Sequence, residues 1–461
     1  KSRLVRALRA RLEGEPHTPL RYQGSPHHTQ SALHPVVEQL ERAAGFQRDD
    51  PAEAKLAKLE ALLAQGTADV AAAPLLADLL AVPAQGRWPP LELSPPQKKA
   101  RTFRALLEQL EGLARQRPVL ELFEDAHWLD PTTTELLGLA VERVPRLRVL
   151  LVVTFRPGFV PPSTGHAHVT LLTLERLGRA QVPAIVDQLT GGKPLPAEVL
   201  APIVAKTDGV PLFVEELTKT VLESGLLTER EDRFELAGPL PPLAIPATLH
   251  DSLMARLDRL APVKEVAQIA ACLGREFDHA LLAEVAGWGE DALRDALGRL
   301  TAAELIFRRG EPPEASYTFK HALVQDAAHQ SLLKSKRRQL HAKIASALEQ
   351  RFPEPAETEP EVLAHHLTEA GLAERAVGWW LRAGERAIRR SAMAEAIAHL
   401  TKGLELLADL PENATRDQQE LDLQLALGQA LIAAKGYAAQ ETGRAYSRAY
   451  EICRKLGDTP K

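Results

Sequence analysis

Two cysteines in 461 residues, Cys272 and Cys453, are too few and too widely separated for a disulfide framework. Neither stands in a CxxC or Cys/His spacing of the kind that holds a metal, so a reducing compartment is expected. Aromatic residues make up only 5%, and leucine and alanine carry most of the apolar content. Apolar runs such as "VLLVVTF" have the length of a strand, far short of the ~20 residues that cross a bilayer. A large excess of charge of one sign is also missing. The net charge of −5 argues against a strongly basic nucleic-acid surface and leaves room for a local patch only. No signal peptide is visible. These absences predict a cytoplasmic protein without a membrane segment, for which direct nucleic-acid binding is not expected.

What is present begins abruptly. There is no initiator Met, and Leu4, Val5, Leu8 and Leu12 already recur at helical spacing in "KSRLVRALRARL". Such a start predicts a chain cut from a longer one. Lys1-Ser2 at the mouth of a helix is how a phosphate-binding loop, G-x-x-x-x-G-K-[ST], ends. The plainer reading is an accident of where the chain starts.

Length allows three or four domains. Residues 1–172 alternate helices with β-rich runs. "PVLELFEDAHWLD" and "RLRVLLVVTFRPGF" flank an amphipathic helix, which makes a βαβ unit and a parallel sheet. Residues 173–240 read as helical and end near a Pro-rich linker, "LAGPLPPLAIP" at 236–246. Residues 241–350 read as helices followed by two β-like runs, "LIFRR" and "SYTFK", a winged-helix-like pattern. Residues 351–461 are purely helical. There Trp380, Ala383, Gly384 and Ala387, then Ala396 and Leu400, fit part of the tetratricopeptide pattern, and a looser copy surrounds Leu427-Gly428. Because at least three such repeats are needed for stability, the array is expected to continue beyond Lys461.

The segment richest in chemistry is "VLELFEDAHWLDPTTTELL". An apolar strand ending in Glu124-Asp125 sets two carboxylates at the carboxyl edge of a parallel sheet, where such folds bind ligands. An acidic residue there can hold Mg²⁺, and a neighbouring one can orient an attacking water. The alternative is a solvated strand end. Asp130 before Pro131 reads as a helix N-cap. Glu121 interrupts the strand, and because an unpaired buried charge is costly, a more open strand edge is expected. His365-His366 and the other histidines lack metal-ligand partners at useful spacing, so no metal beyond Mg²⁺ is expected. No Ser/His/Asp or Cys/His constellation appears.

Taken in order, "KSRL", "FEDAHWLDPTT", "VVTFRPGF", "TDGVPLFVEEL" and "FKHALVQDAAHQSLL" resemble the STAND branch of AAA-type P-loop ATPases. More closely, they resemble the bacterial ATPase modules that accompany adenylate/guanylate cyclase domains and tetratricopeptide repeats. The resemblance covers nearly the whole chain. It implies an α/β P-loop NTPase core, truncated at its N-terminus, followed by an all-α lid, a winged-helix-like domain and repeats. It makes Lys1 the phosphate-loop lysine, Ser2 a Mg²⁺-ligating hydroxyl, and Glu124 and Asp125 the Walker B pair with Glu124 toward the metal. Arg156 becomes a sensor arginine, Gly209 and Pro211 the lid motif on adenine, and His321 a winged-helix contact to nucleotide. The plainer alternatives are a surface ion pair for Arg156, a helix-breaking turn at Gly209–Pro211, a core role for His321, and packing for His127 and Trp128.

Two departures matter for activity. The glycines of the phosphate loop, whose N–H groups do most of the phosphate binding, are absent, so weak or no nucleotide binding is expected of these residues alone. Glu124 stands where aspartate is usual, which shifts the carboxylate by a methylene. The resulting expectation is an ATP/ADP- and Mg²⁺-dependent signalling switch with protein partners on the repeats and an attached effector, such as a cyclase domain. No stretch resembles a cyclase catalytic domain. Two alternatives are a decayed interaction scaffold and an ATP-dependent transcriptional regulator whose DNA-binding domain lies outside the chain. Lys334, Lys336, Arg337 and Arg338 form only a small basic cluster, read as a solvated helix face.

Overall fold

A parallel sheet of three strands, β1 (Thr18–Gln23), β2 (Val119–Glu124) and β3 (Val149–Val153), organises the N-terminal part of the computed structural model. The structure describes residues 1–47, 50–66, 72–84, 86–89, 91–162, 165–239 and 245–457. It divides into two compact units, residues 1–171 with 345–461, and residues 172–344.

In the first unit β2 is central and buried along its whole length. Its register sets Thr18 opposite Val119 and Gln23 opposite Glu124 on one side, and Val119 opposite Val149 and Phe123 opposite Val153 on the other. Alternation of side chains gives β2 two apolar faces. Leu120 and Leu122 pack against Val5, Leu8 and Leu12 of the helix Ser2–Arg11 and its end. Phe123 packs on the other face with Leu137 and Val141 of the helix Pro131–Arg143, the crossover between β2 and β3. The predicted βαβ unit is therefore present. The edge strand β1 was not predicted, because Pro19, Arg21 and Gln23 interrupt any apolar run.

Glu121 overturns the expectation of an open edge. It lies in the central strand and is 3% exposed. Burial pushes its carboxyl up to about 8, so it is largely protonated at neutral pH and avoids the cost of a buried charge. Its neighbour Tyr22, stacked on Phe123 with ring centroids 4.4 Å apart, is held far above its usual range, by burial first and then by Glu121.

Helices Pro360–Glu369, Ala373–Arg389, Met393–Ala408, Ala414–Lys435 and Gln440–Leu456 pack in succession. The repeat-pattern residues explain their spacing. Gly384 admits Leu400, and Gly403 admits Leu423 and the Trp380 side chain. These helices are joined to the sheet region within the same unit. Thr132 N–H donates to Glu395 Oε1 at 2.9 Å, Arg390 Nη2 donates to the Leu79 carbonyl at 3.1 Å, and His399 Nε2 lies 3.1 Å from the Gln30 carbonyl.

The second unit opens with helices Val182–Leu189, Ala197–Thr207 and Pro211–Leu222 around a core that includes Val199, Ile203, Val214 and Leu217. A small hairpin, β4 (Leu227–Glu229) with β5 (Phe234–Leu236), follows. Residues 240–244 of the predicted linker lie outside the described residues. Further helices then enclose an antiparallel sheet of β6 (Glu276–Asp278), β7 (Ile306–Arg309) and β8 (Ser316–Phe319), in the order β6-β8-β7. The predicted hairpin is β7–β8, and β6, three residues long, adds a strand that patterning missed. Among the described residues no helix is long and apolar enough to cross a membrane.

Candidate functional site at the sheet edge

The carboxyl ends of β1, β2 and β3 meet around Asp125. β2 stops because Asp125 takes a left-handed conformation (φ 54°, ψ 44°), after which Ala126–Trp128 form a 3-10 turn. Hydrogen bonds hold this corner from both neighbours. Asp125 N–H donates to Thr154 Oγ1 at 3.0 Å, and Ala126 N–H donates to the Thr154 carbonyl at 2.8 Å. Gly24 N–H donates to the Glu124 carbonyl at 2.8 Å. Gly24 is required by proximity, since a Cβ there would overlap the Asp125 carbonyl.

The two acidic side chains are held differently. Glu124 is buried, and Arg21 Nε donates to its Oε1 at 2.6 Å. A charge-assisted contact of that length fixes the carboxylate in place. Asp125 Oδ2 accepts from Gln23 Nε2 at 3.2 Å. Sequence reasoning missed Arg21 and Gln23, because polar residues on an unrecognised edge strand give no motif. Thr154, by contrast, sits in the quoted "VVTFRPGF".

Lys1 comes to this same corner. Packing of Val5 on Leu120 and Leu122 sets the first turn of its helix over the strand ends. Lys1 Nζ donates to the Phe155 carbonyl just beyond β3. The ammonium is held below its usual range, first by burial; Asp125 acts to raise it and Arg156 to lower it. The Arg156 guanidinium lies over the Trp128 ring, 4.9 Å from its centroid. Among the residues predicted for the site, Lys1, Glu124, Asp125 and Arg156 therefore belong to the corner where β2 and β3 end, while Ser2, next to Lys1, is the exposed first residue of its helix. Trp128 joins them through Arg156. Asp130 is the N-cap that was predicted, with Thr133 N–H donating to its Oδ1 at 2.8 Å; Leu33 N–H donates to the same oxygen at 3.0 Å.

Gly209, Pro211 and His321 lie in the second unit. Gly209 has φ +66°, and a Cβ there would overlap the Leu177 carbonyl, so glycine is needed on two counts. Pro211 opens its helix, with no N–H to leave unpaired. The helix-breaking geometry read from "DGVP" is thus present. His321 precedes the helix Ala322–Gln330. Its neighbour Lys320 reaches Glu215, one turn beyond Pro211, at 2.9 Å, and so ties that helix to the His321 turn. Burial raises Glu215, but Lys320 and Lys219 outweigh it and hold the carboxyl down at about 2.

An ammonium, a hydroxyl, two carboxylates and a guanidinium at the ends of parallel strands suit a polyphosphate accompanied by a divalent cation. Comparison with known proteins agrees at the level of the domain. Residues 1–153 match the family model described as AAA ATPase domain. An uncharacterized protein of Rhizobium meliloti (strain 1021) is 30% identical over 460 residues, covering 99% of this chain and 44% of that protein. The chain thus spans less than half the length of the curated relative it matches. The crystal structure of a Signal Transduction ATPase with Numerous Domains protein with a tetratricopeptide repeat sensor, from Pyrococcus horikoshii, aligns at 13% identity. Its TM-score is 0.42 over 99% of this chain and 65% of that one, too loose to define a common arrangement.

Proposed function

We propose that this chain carries the nucleotide-binding core and partner-binding repeats of an ATP-dependent signalling switch. In this reading 1–172 is the core, 173–240 the lid, 241–350 the winged-helix-like part and 351–461 the repeats. The observation that carries it is the convergence of Lys1, Asp125 and Arg156 where β2 and β3 end. The residues suit ATP or ADP with Mg²⁺: the donor set is one cation for phosphate, one hydroxyl and one carboxylate pair for a hard divalent ion. When bound, ATP·Mg²⁺ supplies a terminal phosphoryl group that water can attack.

The chain's own residues would then divide the work. Lys1 neutralises phosphate charge, and Ser2 and Glu124 face the metal. Arg21 keeps the Glu124 carboxylate at the strand end, and for Glu124 to serve a cation Arg21 must share it. Asp125, held by Gln23, orients water. Arg156, held over Trp128, places positive charge where the terminal phosphate is read. By the resemblance, Gly209, Pro211 and His321 serve adenine and nucleotide contacts. Partner binding on the repeats would bias the nucleotide-dependent arrangement and through it an attached effector, for which a cyclase domain is one reading.

The test is calorimetry of ATP and ADP binding with and without Mg²⁺. It compares this chain with a form in which natural sequence precedes Lys1. Binding by the longer form, abolished by Lys1→Ala and weakened at least tenfold by Asp125→Asn, is the expected result. If neither form binds, the nucleotide reading fails. A non-catalytic scaffold takes its place, the reading favoured by Glu121 in the central strand and by the Arg21–Glu124 pair.

A further inference from the structure

Sequence spacing gave the histidines no ligand partners, but the fold supplies one from 325 residues away. His28 lies in the segment after β1, "SPHHTQSALHP", and His34 opens the helix His34–Ala44. Glu359 stands immediately before the repeat helix Pro360–Glu369. All three belong to the first unit. The two imidazoles are stacked, 3.6 Å between centroids and 17° between planes. His34 Nε2 is 3.6 Å from Glu359 Oε1, and one ligand atom from each of the three residues lies within 4.8 Å of the others.

We propose that His28, His34 and Glu359 form a zinc-class divalent metal site that clasps the segment after β1 to the first repeat helix.

Two features support it. The donor set, two imidazoles and one carboxylate, is one that Zn²⁺ and Co²⁺ accept, with a fourth position left for water. Bonds of about 2.1 Å in tetrahedral geometry place donors roughly 3.4 Å apart, so closure asks the donors to approach by about an ångström and the stacked rings to turn until their lone pairs converge. Second, His34 Nδ1 is buried without a hydrogen-bond partner among the described residues, its nearest carboxylate being Glu38 at 4.0 Å. His28 Nδ1 has only a 3.4 Å approach to Ser31 Oγ. Such under-used polar atoms are costly in a purely packing role.

The surroundings would hold the site in place. The segment carrying His28 is fixed on one side by Leu33 N–H on Asp130 and on the other by His399 at the Gln30 carbonyl. A second cluster, Cys272 with His329 and His341, lies in the second unit and serves as the control. The inference stands apart from the nucleotide reading.

The experiment is Zn²⁺ titration of the chelator-treated 461-residue chain at pH 7.5, against a competing chromophoric chelator. Expected are one Zn²⁺ per chain, affinity lowered at least tenfold in His34→Gln and Glu359→Gln, and no change in Cys272→Ser. Zn²⁺ would also raise the melting midpoint of the unsubstituted chain by several degrees, because an ion that binds only the folded state stabilises it by mass action. Co²⁺ in the unsubstituted chain keeps the test independent of variant folding: intense visible bands of a low-coordinate ion support the site, and the pale spectrum of the hydrated ion overturns it. Absence of saturable Zn²⁺ binding, or binding that all four forms share equally, also overturns it.

Discussion

Two buried charged residues, one in each unit, meet opposite fates. Arg256 in the second unit is 2% exposed and fully engaged. Its Nη1 donates to Glu216, its Nε and Nη2 donate to Glu223 at 3.0 Å each, and Nη2 also donates to the Ala303 carbonyl at 2.6 Å. Glu121 in β2 is 3% exposed, and its Oε2 has no hydrogen-bond partner among the described residues. The first group keeps its charge because carboxylates surround the guanidinium; the second gives its charge up by binding a proton. A buried ionisable side chain is tolerated in either way, and the two ways fail differently when disturbed.

The largest expected effect comes from breaking the satisfied group. Glu216→Ala leaves the guanidinium with Glu223, which is partly exposed, and one carbonyl. Removing one partner of a buried pair costs about 3 kcal/mol or more, read from urea denaturation monitored by circular dichroism. The double change Arg256→Met with Glu216→Leu should recover most of that loss, since well-packed apolar replacements of a buried pair are often neutral. If the single change is silent, the guanidinium contributes nothing by its burial.

Glu121 predicts a smaller, pH-dependent effect. Its folded value, about 8, lies above the ordinary 4.5, so the folded state holds a proton that the unfolded chain releases. Stability from this group is fully present below about 4.5 and is lost as pH rises toward 8, at up to ~1.4 kcal/mol per pH unit. Glu121→Gln removes the titration. The difference in unfolding free energy between the two forms should be near zero at pH 4.5 and favour Gln by ~2 kcal/mol or more at pH 8. A pH-independent difference would mean that Glu121 is charged in the fold.

How much of this was legible follows the same physics. β2 and β3 announce themselves because strands buried on both faces read as apolar runs, "VLELF" and "VLLVV". Asp130 was legible as a cap because capping is local, three residues from Asp130 to Thr133. β1 was hidden by Pro19, Arg21 and Gln23, although Arg21 and Gln23 are the residues that hold Glu124 and Asp125. Local pattern could not report that Glu121 is protonated, since that depends on what covers β2. Nor could it report the meeting of His28, His34 and Glu359, which needs the whole fold of the first unit.

The smallest effect sharpens the comparison from the solvent side. Lys193 Nζ lies 2.6 Å from Glu229 Oε1 in the second unit, as short as the Arg256–Ala303 bond and shorter than the two bonds to Glu223, yet the Glu229 side chain is 62% exposed. Water already solvates both ions, salt screens their attraction, and ordering two long side chains costs entropy. Glu229→Gln should therefore change unfolding free energy by only about 0.2–1 kcal/mol, and by less at 1 M salt. Measured beside Glu216→Ala in the same urea titrations, it separates contact distance from burial as the source of the energy. A loss at Glu229 as large as that at Glu216 would mean that distance decides. The expected ratio, severalfold in favour of Glu216, assigns the difference to the water excluded around Arg256.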